Sequence, residues 1–247
     1  MIYRGTWSQH ISRQILREHG LWLRDQGGTR LVLEGCRLDD LPARGTQIAR
    51  ARFMRCSLRQ ANLTYSILSG LELEDCVLDG AGFVSSDLDR SRLDGCAFVR
   101  ADLRITRLKM AEIANCDFSG ALLDRADFTA AVLKGSSFRG ALFYDATLDN
   151  ATLESCDLRG ADMRFVKMDN LCTTTNTWFW RCDLRGVNIA GRQLQDTRFT
   201  ECRFHGMVGR PLLAGTCTIE RPNMASADDE EELCAPEEVL RMWEAAG

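Results

Sequence analysis

Eleven cysteines are the residues of this chain with the most reactive chemistry, because a thiolate can attack a substrate or bind a metal. The Cys-x-x-Cys spacing that gathers thiolates around zinc does not occur in the sequence. Six of the cysteines are instead separated by multiples of twenty residues, with Ser136 in the missing place: Cys36, Cys56, Cys76, Cys96, Cys116 and Cys156. This spacing predicts a column of small buried residues rather than a reactive or metal-binding site.

The other residue types that carry catalysis also lack a catalytic arrangement. His10, His19 and His205 have no regular relation to any cysteine, so they do not predict a Cys-His pair. Carboxylates are plentiful but stand at positions expected to face solvent, where a raised pKa is not expected. No glycine-rich phosphate loop follows a strand and opens a helix. We therefore expect a binding protein rather than an enzyme, with no catalytic, cofactor-binding or metal-binding residues.

A five-residue repeat governs most of the chain. Stepping by five from Leu33 to Met168 meets a large apolar residue at every position except Ala43, and a small or apolar residue stands two positions earlier. The rhythm then breaks and resumes one phase later, from Phe179 to Phe204. Two inward residues separated by one outward residue is strand periodicity, and the next two positions form a corner. The sequence therefore predicts short sides that must coil, since one side cannot bury its apolar pair alone.

The cysteine spacing indicates how many sides one turn has. Sides of five residues and turns of twenty make a square coil. Segments such as Ala101-Asp102-Leu103 and Ala126-Asp127-Phe128 follow the pattern A(D/N)LXX, so the chain resembles the pentapeptide-repeat family from residue 31 to about 206. The resemblance implies an all-β solenoid, a right-handed quadrilateral β-helix of about eight to nine 20-residue coils, with an N-terminal cap helix and a short C-terminal helix.

Composition and charge narrow the class of protein further. The chain has 247 residues, 45% of them apolar, and its net charge of −4 arises mainly in the tail after residue 206. No run of eighteen apolar residues is present and the first residues lack an apolar signal region, so we expect a cytoplasmic protein with reduced thiols. The clustered basic surplus typical of nucleic-acid binding is absent.

The break in the rhythm between Met168 and Phe179 can be repaired by one extra residue or by six. Six keeps Cys182 and Cys202 in the column of the earlier cysteines and is favoured for that reason. It predicts an extruded loop within residues 169–177, with Trp178 and Trp180 pointing outward on either side of a core phenylalanine. Exposed aromatic residues beside a loop either mark a contact surface or cover the base of the loop. The candidate partner-binding residues here are Asp169, Asn170, Thr173, Thr174, Thr175, Asn176, Trp178 and Trp180.

The two ends of the chain are predicted to cover the open strand edges of the coil. Residues 1–30 form an N-terminal helical cap, with an amphipathic helix between Ser8 and Arg24. Residues 31–206 form the repeat, and residues 207–247 form an acidic tail in which a short helix begins at Pro236. Two alternatives remain open for this helix: it caps the last coil, or it forms a homodimer, with Leu240, Met242 and Trp243 as the contacts.

Charge along the repeat is banded. Residues 37–59 and 90–109 are rich in arginine, while residues 60–89 contain no basic residue. Duplex DNA carries about one charge per 1.7 Å, and the repeat is near neutral, so only a local acidic belt could imitate DNA. The alternative is that adjacent bands form ladders of surface ion pairs, each of little energetic value. The acidic belt consists of Glu72, Glu74, Asp75, Asp79, Asp87 and Asp89.

The resemblance also implies a function. The best-known members of the family resemble DNA in shape and act on DNA gyrase, which they protect from quinolones or natural topoisomerase poisons. The expected function is therefore non-enzymatic protection or modulation of DNA gyrase or topoisomerase IV through partial DNA mimicry, a route to antibiotic resistance. The alternative is a general interaction scaffold or adaptor with an unrelated bacterial partner. Either way we expect a protein partner, with no direct contact to nucleic acid or membrane.

Overall fold

The computed structural model describes residues 2–4, 9–168, 172–225 and 232–245, and their side chains except those of residues 2, 9–13 and 242–245. Two helices, α1 (Gln9–Leu23) and α2 (Pro236–Ala245), lie near the two ends of the chain. The strands are β1 (Ile2–Tyr3), β2 (Val32–Glu34), β3 (Arg52–Met54), β4 (Glu72–Glu74), β5 (Arg92–Asp94), β6 (Glu112–Ala114), β7 (Val132–Lys134), β8 (Thr152–Glu154), β9 (Thr173–Thr175), β10 (Trp178–Trp180), β11 (Gln193–Gln195), β12 (Arg198–Thr200), β13 (Leu212–Ala214) and β14 (Thr218–Glu220).

The chain winds as a parallel square β-helix of about nine turns, which confirms the predicted fold. Side 1 of the square carries a parallel sheet in the order β1-β2-β3-β4-β5-β6-β7-β8-β9-β11-β13. Val32 lies beside Arg52 on this side, and Ser57 lies beside Val77 on side 2, so one turn takes twenty residues. On side 3 Asn62 pairs with Gly82, and on side 4 Ile67 pairs with Asp87.

Large apolar side chains fill the centre of the coil and small ones line its walls. Phe98, Phe118 and Phe138 stack along the axis with ring centroids 4.7 and 5.1 Å apart. Two positions before each central residue, buried small side chains bond to the coil below: the Ser86 hydroxyl donates to the Leu63 carbonyl at 2.7 Å. Since alanine, cysteine, serine and threonine all suit this position, the cysteine column needs no special chemistry.

The break in the rhythm holds one extra residue, and the prediction of six was wrong. Thr152 pairs with Thr173 and Asp157 with Trp178, a spacing of twenty-one residues. Thr177 therefore continues the cysteine column, while Cys182 follows Ala161 in a different column. The physical reason is that β9 keeps its hydrogen bonds to both neighbouring coils, which an extruded loop would lose. Keeping cysteines in one column brings no comparable gain, because any small residue fills that position.

Both ends of the solenoid have a helix close to them. Ile15 of α1 is buried in the core, and His19 is fully buried with Nδ1 accepting from the Leu31 amide at 3.0 Å. At the other end, β13 and β14 follow residue 206, and the Met224 amide donates to the Glu232 carbonyl. Val239 of α2 is buried in the same core cluster. The two helices therefore pack against the terminal coils.

Candidate interaction surface

Two tryptophans lie side by side on side 2, near the C-terminal end of the coil. In β10 the Phe179 side chain points into the core, so its neighbours Trp178 and Trp180 point outward, as predicted. Trp178 is 42% exposed and Trp180 is half-buried. Strand β12 pairs directly with β10, which fixes the backbone that carries both rings.

Arginines surround the two rings. The guanidinium of Arg159, from the coil below, lies over the Trp178 ring at 4.9 Å, and that of Arg181 lies over the Trp180 ring at 4.7 Å. Arg198 pairs with Trp178 in the coil above. A guanidinium over an indole face is held by cation–π attraction, and its in-plane N–H groups can donate to carboxylates at the same time. We name the arginine–tryptophan surface by its six members: Arg139, Arg159, Trp178, Trp180, Arg181 and Arg198.

Two carboxylates hold these arginines in place. Asp157 accepts from Arg139 Nε at 2.5 Å and from Arg159 Nε at 2.8 Å. Glu201 accepts from Arg181 Nε at 2.7 Å, and this hydrogen bond holds the pKa of Glu201 below its usual range. A third acid, Asp196, lines the recess beside Arg198. The surface therefore carries four arginines against three acids, and its local charge is positive.

Recesses flank the rings. A cavity of about 250 Å³ lies between Arg139, Arg159, Gly160, Trp180 and Arg181. A second, of about 350 Å³, lies on the other side of Trp178, beside Arg198. The corner residues Gly140 and Gly160 have no side chain, which leaves open space next to Trp180. Each recess borders one of the two indole rings.

The predicted loop residues fall into three groups. Asp169 and Asn170 lie outside the described residues. Thr174 is buried and its hydroxyl bonds to that of Thr197 at 2.9 Å, so it faces the core rather than a partner. Thr173 and Thr175 are half-buried on side 1, and Asn176 is exposed at the corner between sides 1 and 2. The structure thus brings Asn176, Trp178 and Trp180 close together, but not on an extruded loop.

The acidic belt is largely ion-paired. Glu72 lies 2.8 Å from Arg30 and 3.8 Å from Arg52, while Glu74 lies 3.0 Å from Arg52. Its other paired members are Asp79 with Arg59, Asp87 with Arg107 and Asp89 with Arg107. These residues also occupy three different sides of the square. A partner that meets one side can contact only part of the belt.

Arginines from both bands share a groove with this belt. The groove has a volume of about 740 Å³ and runs along the corner between sides 4 and 1, with Arg50 and Arg90 among its lining residues and Glu72, Asp87 and Asp89 between them. The belt therefore presents alternating charge to solvent rather than a continuous negative surface. This arrangement is the ion-pair ladder that the banded sequence also allowed.

The arginines of the arginine–tryptophan surface are the candidate residues that the sequence analysis missed. With six extra residues, Trp178 would lie beside Thr152 on side 1. With one extra residue it lies beside Asp157 on side 2, in contact with Arg159. Arg159 lies twenty residues after Arg139, and Trp180 lies twenty-one residues after Arg159. Once the register is known, these spacings place the three residues above one another on side 2.

The buried cysteine thiols are poor candidates for a functional site. Burial raises the pKa of the Cys156 thiol to about 11 and that of Cys172 to about 12. The neutral thiol that results is a poor nucleophile.

Among the described residues, no cluster of three or more histidine, cysteine or acidic side chains could hold a metal ion. In the same part of the chain, no helix is long and apolar enough to cross a membrane.

Two models of known protein families match segments of the coil. Residues 106–162 match the family described as Pentapeptide repeats (9 copies), and residues 56–95 and 83–120 match Pentapeptide repeats (8 copies). Residues 56–162 of the chain are therefore pentapeptide repeats. No curated protein matches its sequence.

The solved structures that this chain resembles share little sequence with it. Full-length QnrB1, a plasmid-mediated fluoroquinolone resistance protein, is 16% identical over 74% of this chain and 90% of its own, with a TM-score of 0.31. A protein of the Arabidopsis thaliana thylakoid lumen is 28% identical over 39% of this chain and 67% of its own, with a TM-score of 0.21. Rfr23 from the cyanobacterium Cyanothece 51142 is 20% identical over 54% and 90%, with a TM-score of 0.18.

Proposed function

We propose that this pentapeptide-repeat protein is a non-enzymatic binding protein that protects or modulates a type II DNA topoisomerase, either DNA gyrase or topoisomerase IV. The observation that carries the proposal is the shape of the rod. Nine steps between the side-1 strands from β2 to β13, at roughly 4.8 Å each, give a length of about 43 Å. Five residues per side give roughly 16 Å, and side chains bring the width near that of duplex DNA.

Two surfaces would make the contact. The arginine–tryptophan surface offers an exposed aromatic residue held by its neighbours, which is the usual character of a binding hot spot. The acidic belt supplies the partial DNA mimicry. Five of its six carboxylates are ion-paired, but exposed pairs are worth only about 0–1 kcal/mol. A basic partner surface can therefore exchange with Arg52 or Arg107 at little cost.

A scaffold or adaptor with an unrelated bacterial partner is the second candidate. The observation that favours it is the pairing of the acidic belt, because alternating charge resembles duplex DNA less than a continuous row of acids would. A topoisomerase protector binds gyrase alone and competes with DNA. A scaffold ignores gyrase and retrieves another protein in a pull-down.

Supercoiling and cleavage assays test the proposal. Purified protein is titrated against gyrase with and without a quinolone and a natural-product poison. Restored supercoiling at micromolar protein is the expected outcome, and a protein that neither rescues nor inhibits gyrase contradicts the proposal. The W178A/W180A double variant should lose most of the rescue. Phe165→Ala serves as the matched control, because Phe165 is an exposed aromatic residue on a different side of the coil and should leave rescue unchanged.

A further inference from the structure

We propose that the arginine–tryptophan surface binds an acidic segment of the partner protein. This inference deepens the proposed function, since it assigns a chemistry to the partner segment that meets Trp178 and Trp180. It also gives the two surfaces different partners: the acidic belt would contact basic groups, and the arginine–tryptophan surface would contact acidic ones.

The charge on side 2 changes along the rod. In the lower coils this side is of mixed sign, with Arg37, Arg59 and Arg100 against four acids: Asp39, Asp40, Asp79 and Asp117. From residue 139 upward the surface has four arginines against Asp157, Asp196 and Glu201, in a chain whose net charge is −4. A local positive surface on a negative protein attracts an acidic partner and fixes which end of the rod meets it.

The geometry suits carboxylates. Arg159 lies over the Trp178 ring and Arg181 over the Trp180 ring, so each ring helps to hold its guanidinium in place and limits the entropy lost on binding. Asp157 already accepts from Nε and Nη2 of Arg159, and Glu201 from Nε of Arg181. A carboxylate of the partner would therefore meet the two terminal nitrogens of Arg181, which can donate in parallel to its two oxygens. The exposed part of Trp178 and the recess beside Gly160 receive apolar groups that alternate with the acids.

Nucleic acid fits this surface less well. A single strand needs cations along its whole length, at about one phosphate per 3.4 Å, and bases need free aromatic faces. Here one face of each indole is covered by an arginine, and Asp157 and Glu201 interrupt the positive charge. The coils from Arg139 to Arg198 span only about 14 Å, three steps of roughly 4.8 Å. This is the length of a short peptide contact.

The test measures binding of a fluorescein-labelled peptide, (Asp-Glu-Phe)4, to the full chain by fluorescence anisotropy. Its neutral counterpart, (Asn-Gln-Phe)4, and a thymidine oligonucleotide of the same length are the comparison probes. The R159E/R181E double variant should weaken binding of the acidic peptide by about tenfold or more. Arg100→Glu is the matched control, because Arg100 occupies the same corner column as Arg181 four coils lower and shares its left-handed backbone. It should change the affinity by less than about twofold.

A salt titration of peptide binding to the unaltered protein is a second measurement, and it does not require the variant to fold. Binding of the acidic peptide should weaken as salt rises, while the neutral peptide stays weak throughout. Equal affinity for the two peptides, equal loss with Arg100→Glu, or tighter binding of the oligonucleotide overturns the inference. Peptide binding without gyrase rescue contradicts the proposed function alone, and rescue without peptide binding contradicts this inference alone.

Discussion

Corner residues of the coil take a left-handed backbone whatever their side chain. Glycine occupies this position at residues such as Gly80 and Gly120, with φ of 66° at each, and there the conformation costs little. Ile105 occupies the same position with φ of 58°, although a β-branched residue rarely adopts it. Its side chain is 53% exposed, so packing gives little compensation. Individual corners therefore store strain that the rest of the coil holds in place.

Ile105→Gly should stabilise the protein by about 0.5–1 kcal/mol. Relief of the left-handed strain, about 1–2 kcal/mol, exceeds the backbone entropy that glycine adds to the unfolded chain. Chemical denaturation of both proteins measures the difference. Ile67→Gly is the control: Ile67 is a similarly exposed isoleucine in a bridge position without a positive φ, so there glycine should destabilise. If both changes destabilise equally, backbone strain at Ile105 is not the cause.

Helix α1 is joined to the first coils through one buried histidine. His19 Nδ1 accepts from the Leu31 amide, so the proton lies on Nε2, which donates to the Ala49 carbonyl at 2.9 Å. Burial lowers the pKa of His19 from 6.5, and the cation of Arg30 acts in the same direction. A second proton would have to sit on Nδ1 and break the bond to Leu31. The neutral ring is thus the form that docks the helix.

Docking of α1 should weaken as the pH falls below 6.5. Because the folded-state pKa lies below 6.5, the unfolded state binds more protons in the window between the two values. His19 therefore contributes its full stability above pH 6.5 and loses it as the pH falls through that window. Hydrogen exchange of the α1 amides at pH 7.5 and pH 5.5 measures the effect. His19→Gln, which keeps one donor and one acceptor but does not titrate, should remove this pH dependence; an unchanged dependence assigns it elsewhere.

The whole rod is held together by contacts between successive coils. Each turn packs only on its neighbours, so the stability of the solenoid is a sum of coil terms and interface terms. The stack of Phe98, Phe118 and Phe138 is one such column through the middle of the rod. Rigidity of this kind presents the arginine–tryptophan surface at a fixed distance from the acidic belt.

Phe118→Ala should lower the free energy of unfolding by about 3–5 kcal/mol, since it leaves a cavity and removes two ring contacts. Chemical denaturation measures the loss, and hydrogen exchange should rise first in the central coils. Phe165→Ala, at an exposed corner, should cost less than about 1 kcal/mol. Similar losses for the two variants would mean that the central stack does not hold the rod together.

Local pattern was enough to predict most of the coil. The five-residue rhythm from Leu33 to Met168 fixed which side chains are buried, because alternate residues of a short strand share a face whatever lies around them. The twenty-residue cysteine spacing fixed the length of a turn. Helices α1 and α2 and the outward direction of Trp178 and Trp180 followed from the same kind of local periodicity.

The register beyond Met168 depended on the tertiary structure. One extra residue and six give the same local rhythm, and only the hydrogen bonds of β9 to the coils on both sides distinguish them. That single choice decides which side of the rod carries Trp178 and therefore that Arg159, rather than Thr152, lies against it. The pairing of the acidic belt with Arg52 and Arg107 was settled in the same way. Contacts between coils depend on register, and register is a property of neighbouring turns rather than of any one repeat.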